Sequence, residues 1–171
     1  MSHEEHRGKA PKKFKFAVIT VSDTASRGER EDRSGKFLVE EMERAGNERV
    51  YYTVVPDERL ALIRAVIESV ERGADVVITT GGTGITSRDV TIESLSPLFD
   101  KELKGFGEIF RLKSYEEIGT AALLTGATAG VIRSGERAVV VFCLPGSINA
   151  VRTGIEIIKK EAYHVLKHAG E

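Results

Sequence analysis

The sequence is first informative for what it lacks. It has one cysteine, Cys143, so no disulfide can form within the chain, as is typical of a reducing compartment. No stretch approaches the ~20 apolar residues of a membrane-spanning helix. The polar segment 1–15 is not followed by the apolar core of a signal peptide. These absences predict a cytoplasmic protein without membrane contact, with Cys143 buried in the apolar run 138–144.

An excess of charge of one sign is also missing. The chain of 171 residues carries 25 Lys and Arg against 26 Asp and Glu, for a net charge of −1. This balance argues against a nucleic-acid partner. The length predicts one domain, which we place at residues 14–171. The lysine-rich segment 1–13 is predicted to be a flexible basic arm, or alternatively a segment that attracts phosphate.

Apolar runs of strand and helix periodicity alternate along the chain. The pattern predicts strands at 14–21, 50–55, 75–80, 130–133 and 138–144. It predicts helices at 34–45, 60–70, 91–99 and 148–167, with one or two more within 106–124. Thr91 is a candidate N-cap. The predicted fold class is α/β, a three-layer domain with a central, mostly parallel sheet flanked by helices.

Polar loops follow the predicted strands, at the edge where α/β sheets bind their ligands. The most distinctive loop is rich in glycine, which leaves backbone N–H groups free to bind an anion. Its spacing matches neither the Walker phosphate loop nor the dinucleotide fingerprint. The charged run 29–33 is interpreted as solvated surface. Candidate ligand-binding residues in these loops are Ser22, Asp23, Thr80, Gly81, Gly82, Thr83, Gly84, Arg88, Pro145, Gly146 and Ser147.

Asp57 and Asp89 are the acids predicted to be catalytic. Both lie near the ends of predicted strands, where their carboxylates could share a Mg²⁺ bound to substrate phosphates. Alternatively, each could cap the helix that follows it. Arg88 either clamps a phosphate or pairs with an acid, and Ser147 either caps the last helix or also contacts a phosphate.

Two histidines stand apart from these loops. His164 and His168 are four residues apart, a spacing that can hold a metal on one helix face. The simpler interpretation is that they complement the dipole at the end of the last helix.

Six short segments resemble one known family, and the resemblance extends from Lys15 to the C-terminal helix. Each is a weak motif by itself, but six in this order are specific. They are Val21-Ser22-Asp23 with Glu31-Asp32-Arg33-Ser34-Gly35, Val55-Pro56-Asp57, Thr79-Thr80-Gly81-Gly82-Thr83-Gly84, Arg88-Asp89-Val90-Thr91, Gly105-Phe106-Gly107-Glu108 and Leu144-Pro145-Gly146-Ser147. The chain resembles the MoaB/Mog family of molybdenum-cofactor biosynthesis proteins, and segments 97–100 and 114–119 are most similar to its MoaB branch.

The resemblance implies a reaction, in which molybdopterin is adenylylated by MgATP and pyrophosphate is released. The family's two active-site aspartates correspond to Asp57 and Asp89, which would hold Mg²⁺. The glycine loop and residues 145–147 would bind phosphate or pterin groups. The resemblance also implies a homotrimer or a dimer of trimers, and a downstream metal-insertion protein as partner.

Two other functions are compatible with the same residues. The first is a non-catalytic carrier or scaffold trimer, which would bind molybdopterin without ATP turnover. The second is a nucleotide-processing hydrolase similar to the related domain of the competence-damage proteins, which would cleave a pyrophosphate bond without any pterin.

Overall fold

The computed structural model describes residues 13–171, and its centre is a six-stranded sheet within that range. The strands are β1 (Lys15–Val21), β2 (Glu48–Val55), β3 (Val76–Thr80), β4 (Lys101–Glu102), β5 (Thr128–Ser134) and β6 (Arg137–Leu144). The α-helices are α1 (Asp23–Ser26), α2 (Arg33–Arg44), α3 (Arg59–Glu71), α4 (Thr91–Leu95), α5 (Lys104–Ile118) and α6 (Ile148–Ala169). Two 3₁₀ helices, Ser96–Leu98 and Gly119–Leu124, follow α4 and α5.

The strand order is β2-β1-β3-β6-β5-β4, and the first four strands in this order are parallel. β5 and β6 form an antiparallel hairpin, and β4 pairs antiparallel with β5. β3 is buried along its whole length, which is why its sequence is a continuous apolar and β-branched run rather than an alternating one. The predicted α/β class with a mostly parallel sheet is confirmed.

Helices cover both faces of the sheet and make the three layers. α2, α5 and α6 pack on one face, where Phe106 of α5 meets Phe142 of β6 edge-on with 5.0 Å between ring centroids. α3 and α4 pack on the other face around Leu62 and Leu95, both fully buried. Burying each of these large side chains contributes about 1.5–3 kcal/mol to stability. The two apolar faces therefore hold the strand ends in fixed positions.

Several element boundaries differ from the prediction. The helix predicted at 91–99 ends at Leu95 and continues as a 3₁₀ turn, because Pro97 cannot donate a helical hydrogen bond. Thr91 is not its N-cap, since Val90 holds that position and Thr91 is the first helical residue. Gly119, with φ of +64°, ends α5. The short α1 lies in a segment that was predicted to be a loop.

Cys143 is fully buried, as predicted, and burial raises the pKa of its thiol to about 12. Within residues 13–171, no helix has both the length and the apolar character needed to span a bilayer. Residues 1–12 lie outside the described part of the chain, so the division into an arm at 1–13 and a domain at 14–171 stays a prediction.

Candidate active site

One cavity of about 710 Å³ lies at the carboxyl ends of β1, β3 and β6. The chain leaves β1 towards β2 on one side and later returns to β3 on the other, so the strand order reverses between β1 and β3. Such a reversal separates the loops that follow the two strands and opens a crevice between them. The cavity therefore lies where the topology of a parallel sheet favours a ligand.

The glycine loop after β3 lines the cavity and needs its glycines for two reasons. Gly81 and Gly82 have φ of +98° and +67°, in the left-handed region that favours glycine. A Cβ at Gly81 would collide with the carbonyl oxygen of Val21, and one at Gly82 would lie 2.5 Å from Thr91 Oγ1. Thr91 is fully buried and donates its hydroxyl to the Gly81 carbonyl at 2.8 Å. The first residue of α4 thus holds the glycine loop in place.

Asp57 follows β2 and forms two hydrogen bonds with Asp23, which lies just after β1. The Asp23 N–H donates to Asp57 Oδ2 at 2.8 Å, and the Asp57 N–H donates to Asp23 Oδ1 at 2.9 Å. Arg88 Nε donates to Asp23 Oδ2 at 3.1 Å. This guanidinium, followed by the Asp57 N–H, holds the pKa of Asp23 below its usual value. The cap hypothesis for Asp57 is wrong, because Glu58 holds the N-cap position of α3.

Asp89 is held within its own loop. Its Oδ2 accepts hydrogen bonds from the Thr86 hydroxyl at 2.6 Å and the Thr86 N–H at 2.9 Å. The Thr86 hydroxyl, with smaller contributions from the N–H groups of Thr86 and Gly84, lowers the pKa of Asp89 against a raising effect of burial. A Cβ on Gly84 would lie 2.7 Å from Asp89 Oδ2, so glycine allows this close approach. Asp89 does not cap α4, contrary to the alternative hypothesis.

The loop at 145–147 is fastened to the other cavity walls. Thr80 Oγ1 donates to the Pro145 carbonyl at 2.9 Å, and Ser34 Oγ donates to the Gly146 carbonyl at 2.8 Å. Ser147 Oγ accepts from the Ala150 N–H at 3.2 Å and caps α6. Capping by Ser147 is confirmed. The first turn of α6 therefore begins at the edge of the cavity, and the first turn of a helix is a position at which an anion can bind.

A polar cluster around Asp32 supports the cavity and was not predicted. Asp32 Oδ2 accepts hydrogen bonds from the hydroxyls of Thr20 and Tyr52, both at 2.6 Å, and Oδ1 accepts from the Gly35 N–H at 2.9 Å. Burial, and then the bond to Asp32, raise the pKa of Tyr52. A Cβ on Gly35 would collide with Asp32 and Thr20. The interpretation of 29–33 as solvated surface is wrong for Asp32, although an acid just before a predicted helix is a recognisable capping signal.

The far wall of the cavity comes from α5 and α6. Glu117 and Asn149 line it together with Thr153, whose hydroxyl lies 3.1 Å from Glu117 Oε1 and 3.2 Å from the Asn149 carbonyl. Sequence reasoning missed Glu117 and Thr153. No local signal marks them, because the packing of two helices distant in sequence brings them together.

Eleven of the thirteen predicted site residues line the cavity, and the remaining two are Asp23 and Arg88. These two pair with each other beside it, so of the two roles considered for Arg88 the structure contains the ion pair. Ligand contacts by any of the thirteen stay predictions.

An α/β domain with a cavity at the switch point of its sheet, lined by a glycine loop and two acids, has the architecture of the small-molecule-binding α/β proteins. The chain belongs to the family described as the probable molybdopterin binding domain, whose sequence profile matches residues 17–165.

Individual relatives are similar over almost the whole chain. A Pyrococcus furiosus protein named molybdopterin adenylyltransferase is 63% identical over 171 residues, which is 100% of both chains. A Bacillus subtilis protein named molybdenum cofactor biosynthesis protein B is 46% identical, covering 98% of this chain and 96% of the relative. The crystal structure of the tungsten cofactor synthesizing protein MoaB from Pyrococcus furiosus superposes with a TM-score of 0.92 at 63% identity, covering 95% of this chain and 100% of the other.

Proposed function

We propose that this protein is a molybdopterin adenylyltransferase of molybdenum or tungsten cofactor biosynthesis. A phosphate oxygen of molybdopterin attacks the α-phosphorus of ATP, the new P–O bond forms, and pyrophosphate leaves. The observation that carries the proposal is the cavity, where Asp57 and Asp89 flank a glycine loop whose left-handed backbone leaves no room for a side chain at Gly82. The 63% identity to a relative of that name over the full chain supports it.

Bringing two polyanions together is the main electrostatic task of this reaction. Two unit charges 4 Å apart repel by about 4 kcal/mol at an effective dielectric constant of 20. The N–H groups of the glycine loop and of the first turn of α6, together with Arg30 and Arg33 at the cavity wall, offset this repulsion. No group on the protein needs to form a covalent intermediate, because the substrate phosphate is the nucleophile. Catalysis therefore rests on alignment and charge neutralisation.

The acids at the cavity fit a magnesium ion that arrives with ATP. Mg²⁺ typically takes one or two protein carboxylates and fills its other positions with water and phosphate oxygens. Asp57 and Asp89 both line the cavity and would be the carboxylates that hold the ion. When bound there, Mg²⁺ supplies charge neutralisation at the phosphates.

Pyrophosphate release from MgATP, measured with and without molybdopterin, tests the proposal. We expect release that requires molybdopterin and is lost in Asp57→Asn and Asp89→Asn. The control is Glu40→Gln, which changes an exposed carboxylate outside the cavity. Tight pterin binding without release would instead support the carrier or scaffold function. Pyrophosphate-bond cleavage without pterin would support the hydrolase.

We also propose that the protein acts in the cytoplasm as a homotrimer or a dimer of trimers and hands its product to a metal-insertion protein. Exposed apolar side chains on α5 and the following 3₁₀ helix support self-association, with Leu112 at 61%, Ile118 at 55% and Leu123 at 87% exposure. Light scattering on the purified protein tests the oligomeric state, and a monomer at micromolar concentration would contradict it.

A further inference from the structure

The far wall of the cavity differs in its chemistry from the glycine loop. Its polar groups are the carboxylate of Glu117 and the side chains of Asn149 and Thr153. Ile118, at the end of α5, and Leu124, in the 3₁₀ helix that follows, add aliphatic surface. These five side chains include one anion and no cation, so this wall repels a phosphate. The wall therefore suits a part of the substrate other than its phosphates.

A flat heterocycle needs an apolar surface against which to pack its face. No aromatic side chain of residues 13–171 lines the cavity. Val21 lines it as well but is only 3% exposed, whereas Leu124 is 58% exposed. Leu124 and the neighbouring Ile118 thus offer the accessible aliphatic surface in the cavity. A substrate ring that lies there has the Glu117 carboxylate close to its edge.

Glu117 is held in place by a buried residue of α6. The Thr153 hydroxyl is buried and donates to Glu117 Oε1 at 3.1 Å. Within residues 13–171, no hydrogen bond is made to the other oxygen, Oε2. An ionised carboxylate only accepts hydrogen bonds and has room for more than one donor on its two oxygens. The far wall therefore presents a fixed acceptor to a ligand that carries adjacent N–H donors.

We propose that the far wall binds the pterin ring and that Glu117 selects it by accepting hydrogen bonds from its 2-amino group and N3–H. This inference rests on the proposed function, which makes molybdopterin one of the two substrates. The two N–H donors of the 2-amino-4-oxopyrimidine edge lie side by side and match the two oxygens of a carboxylate. Adenine instead presents an N–H donor beside the lone pair of N1, which a carboxylate repels. Glu117 thus keeps the two heterocycles of the reaction in different parts of the cavity.

Binding of molybdopterin to the full-length protein without nucleotide, measured by anaerobic titration calorimetry, tests the proposal. We expect roughly tenfold or more weaker binding in Glu117→Gln, the scale of losing a hydrogen bond to a charged group. The matched control is Glu116→Gln, because Glu116 is the exposed neighbour of Glu117 and does not line the cavity. Both variants should bind MgATP like the wild type.

Two competitors probe the edge of the ring directly. In 6-methyllumazine an oxo group replaces the 2-amino group of 6-methylpterin, so one donor becomes an acceptor. We expect 6-methylpterin to displace molybdopterin from the wild type at least tenfold more effectively than 6-methyllumazine does, and this preference should be lost in Glu117→Gln.

Equal molybdopterin affinities of Glu117→Gln and Glu116→Gln would overturn the proposal. A loss of MgATP affinity in Glu117→Gln, with molybdopterin affinity unchanged, would also overturn it and would assign the far wall to adenine. The titration contains no ATP, so its result does not depend on adenylyl transfer. Binding that requires Glu117 in a protein that releases no pyrophosphate would refute the proposed reaction and retain the pterin site.

Discussion

The two aspartates at the cavity are positioned in different ways. Asp57 is held across the sheet, because its hydrogen-bond partner Asp23 follows a neighbouring strand and lies 34 residues away. Asp89 is held within a single loop by Thr86, three residues away. The position of the Asp57 carboxylate therefore depends on the ends of two strands, β1 and β2, whereas the position of the Asp89 carboxylate depends on a single turn. A change in either support should affect the two acids unequally.

Arg88 connects these two modes of support. It precedes Asp89 in the loop, but its guanidinium pairs with Asp23 and so contributes to the brace around Asp57. A displacement of the loop would therefore reach both acids.

Removing either carboxylate charge should have the largest effect. We expect Asp57→Asn and Asp89→Asn each to lower the rate of pyrophosphate release by roughly 100-fold or more, the scale of losing one electrostatic contact in a transition state. Steady-state release under saturating MgATP and molybdopterin is the measurement. Activity within threefold of the Glu40→Gln control would remove the corresponding acid from the mechanism.

A side chain at position 82 should disturb the part of the cavity that contains Asp57. A Cβ there would lie 2.5 Å from Thr91 Oγ1 and 3.4 Å from Asp57 Oδ1, and φ is +67°. Gly28 is a matched control, because its φ is +73° and a Cβ would meet nothing within 4 Å. Both alanine variants should lose about 1–2 kcal/mol of stability from the backbone. Measured by urea unfolding, the free energy of unfolding of Gly82→Ala should fall by about 1–3 kcal/mol more than that of Gly28→Ala. Equal decreases in the two variants would mean that the glycine loop has room to move.

Removing the ion pair between Arg88 and Asp23, the residue that holds Asp57 by hydrogen bonds, should have a smaller effect on the rate of pyrophosphate release. Arg88→Gln removes the cation that lowers the pKa of Asp23, so that pKa should rise towards its ordinary value. We expect a decrease of roughly three- to tenfold in pyrophosphate release, because the Asp57 carboxylate itself remains. The control Arg27→Gln breaks an exposed pair with Glu29 in the same region. Equal effects of the two substitutions would contradict a specific role for Arg88.

The hydrogen bonds that Thr86 donates to Asp89 should change how the free energy of unfolding depends on pH. Its pKa is lowered in the folded state, so its contacts stabilise the protein fully above the ordinary value of 3.8 and lose that contribution as the pH falls through the folded-state pKa. Thr86→Val should therefore cost about 1 kcal/mol at pH 7. The difference from wild type should shrink in unfolding measurements at increasingly acidic pH, and a constant difference would assign the effect to packing.

The edge of the sheet that carries the site could be predicted, because strands of a parallel sheet end at one edge. That rule was enough to bring Asp57, Asp89 and the glycine loop to one cavity. The brace between Asp23 and Asp57 could not be predicted. It requires Val21 to align with Val55, and that register includes a shift between Phe16 and Ala17.

Other features could not be predicted from the sequence, either because the element is too short or because the residues in contact are far apart in the chain. Helix α1 has four residues, too few to show a helical period. Glu117 and Thr153 meet only because α5 and α6 pack side by side. For Arg88, the sequence offered an anion and an acid as equivalent partners, and only the fold brings Asp23 within reach.

The position of β6 in the sheet affects when the site can first exist during synthesis. This strand is the last in sequence, but it lies between β3 and β5, and the loop after it accepts hydrogen bonds from Thr80 and Ser34. A nascent chain that has completed β3 still has an open sheet edge and no closed cavity. At about 5–20 residues per second, the ribosome needs roughly 3–13 seconds more to reach the end of β6. A ligand of the closed cavity therefore cannot assist the early steps of folding. Until β6 is complete, α2 and α3 can cover the first three strands, but α6 cannot, because it follows β6 in the sequence.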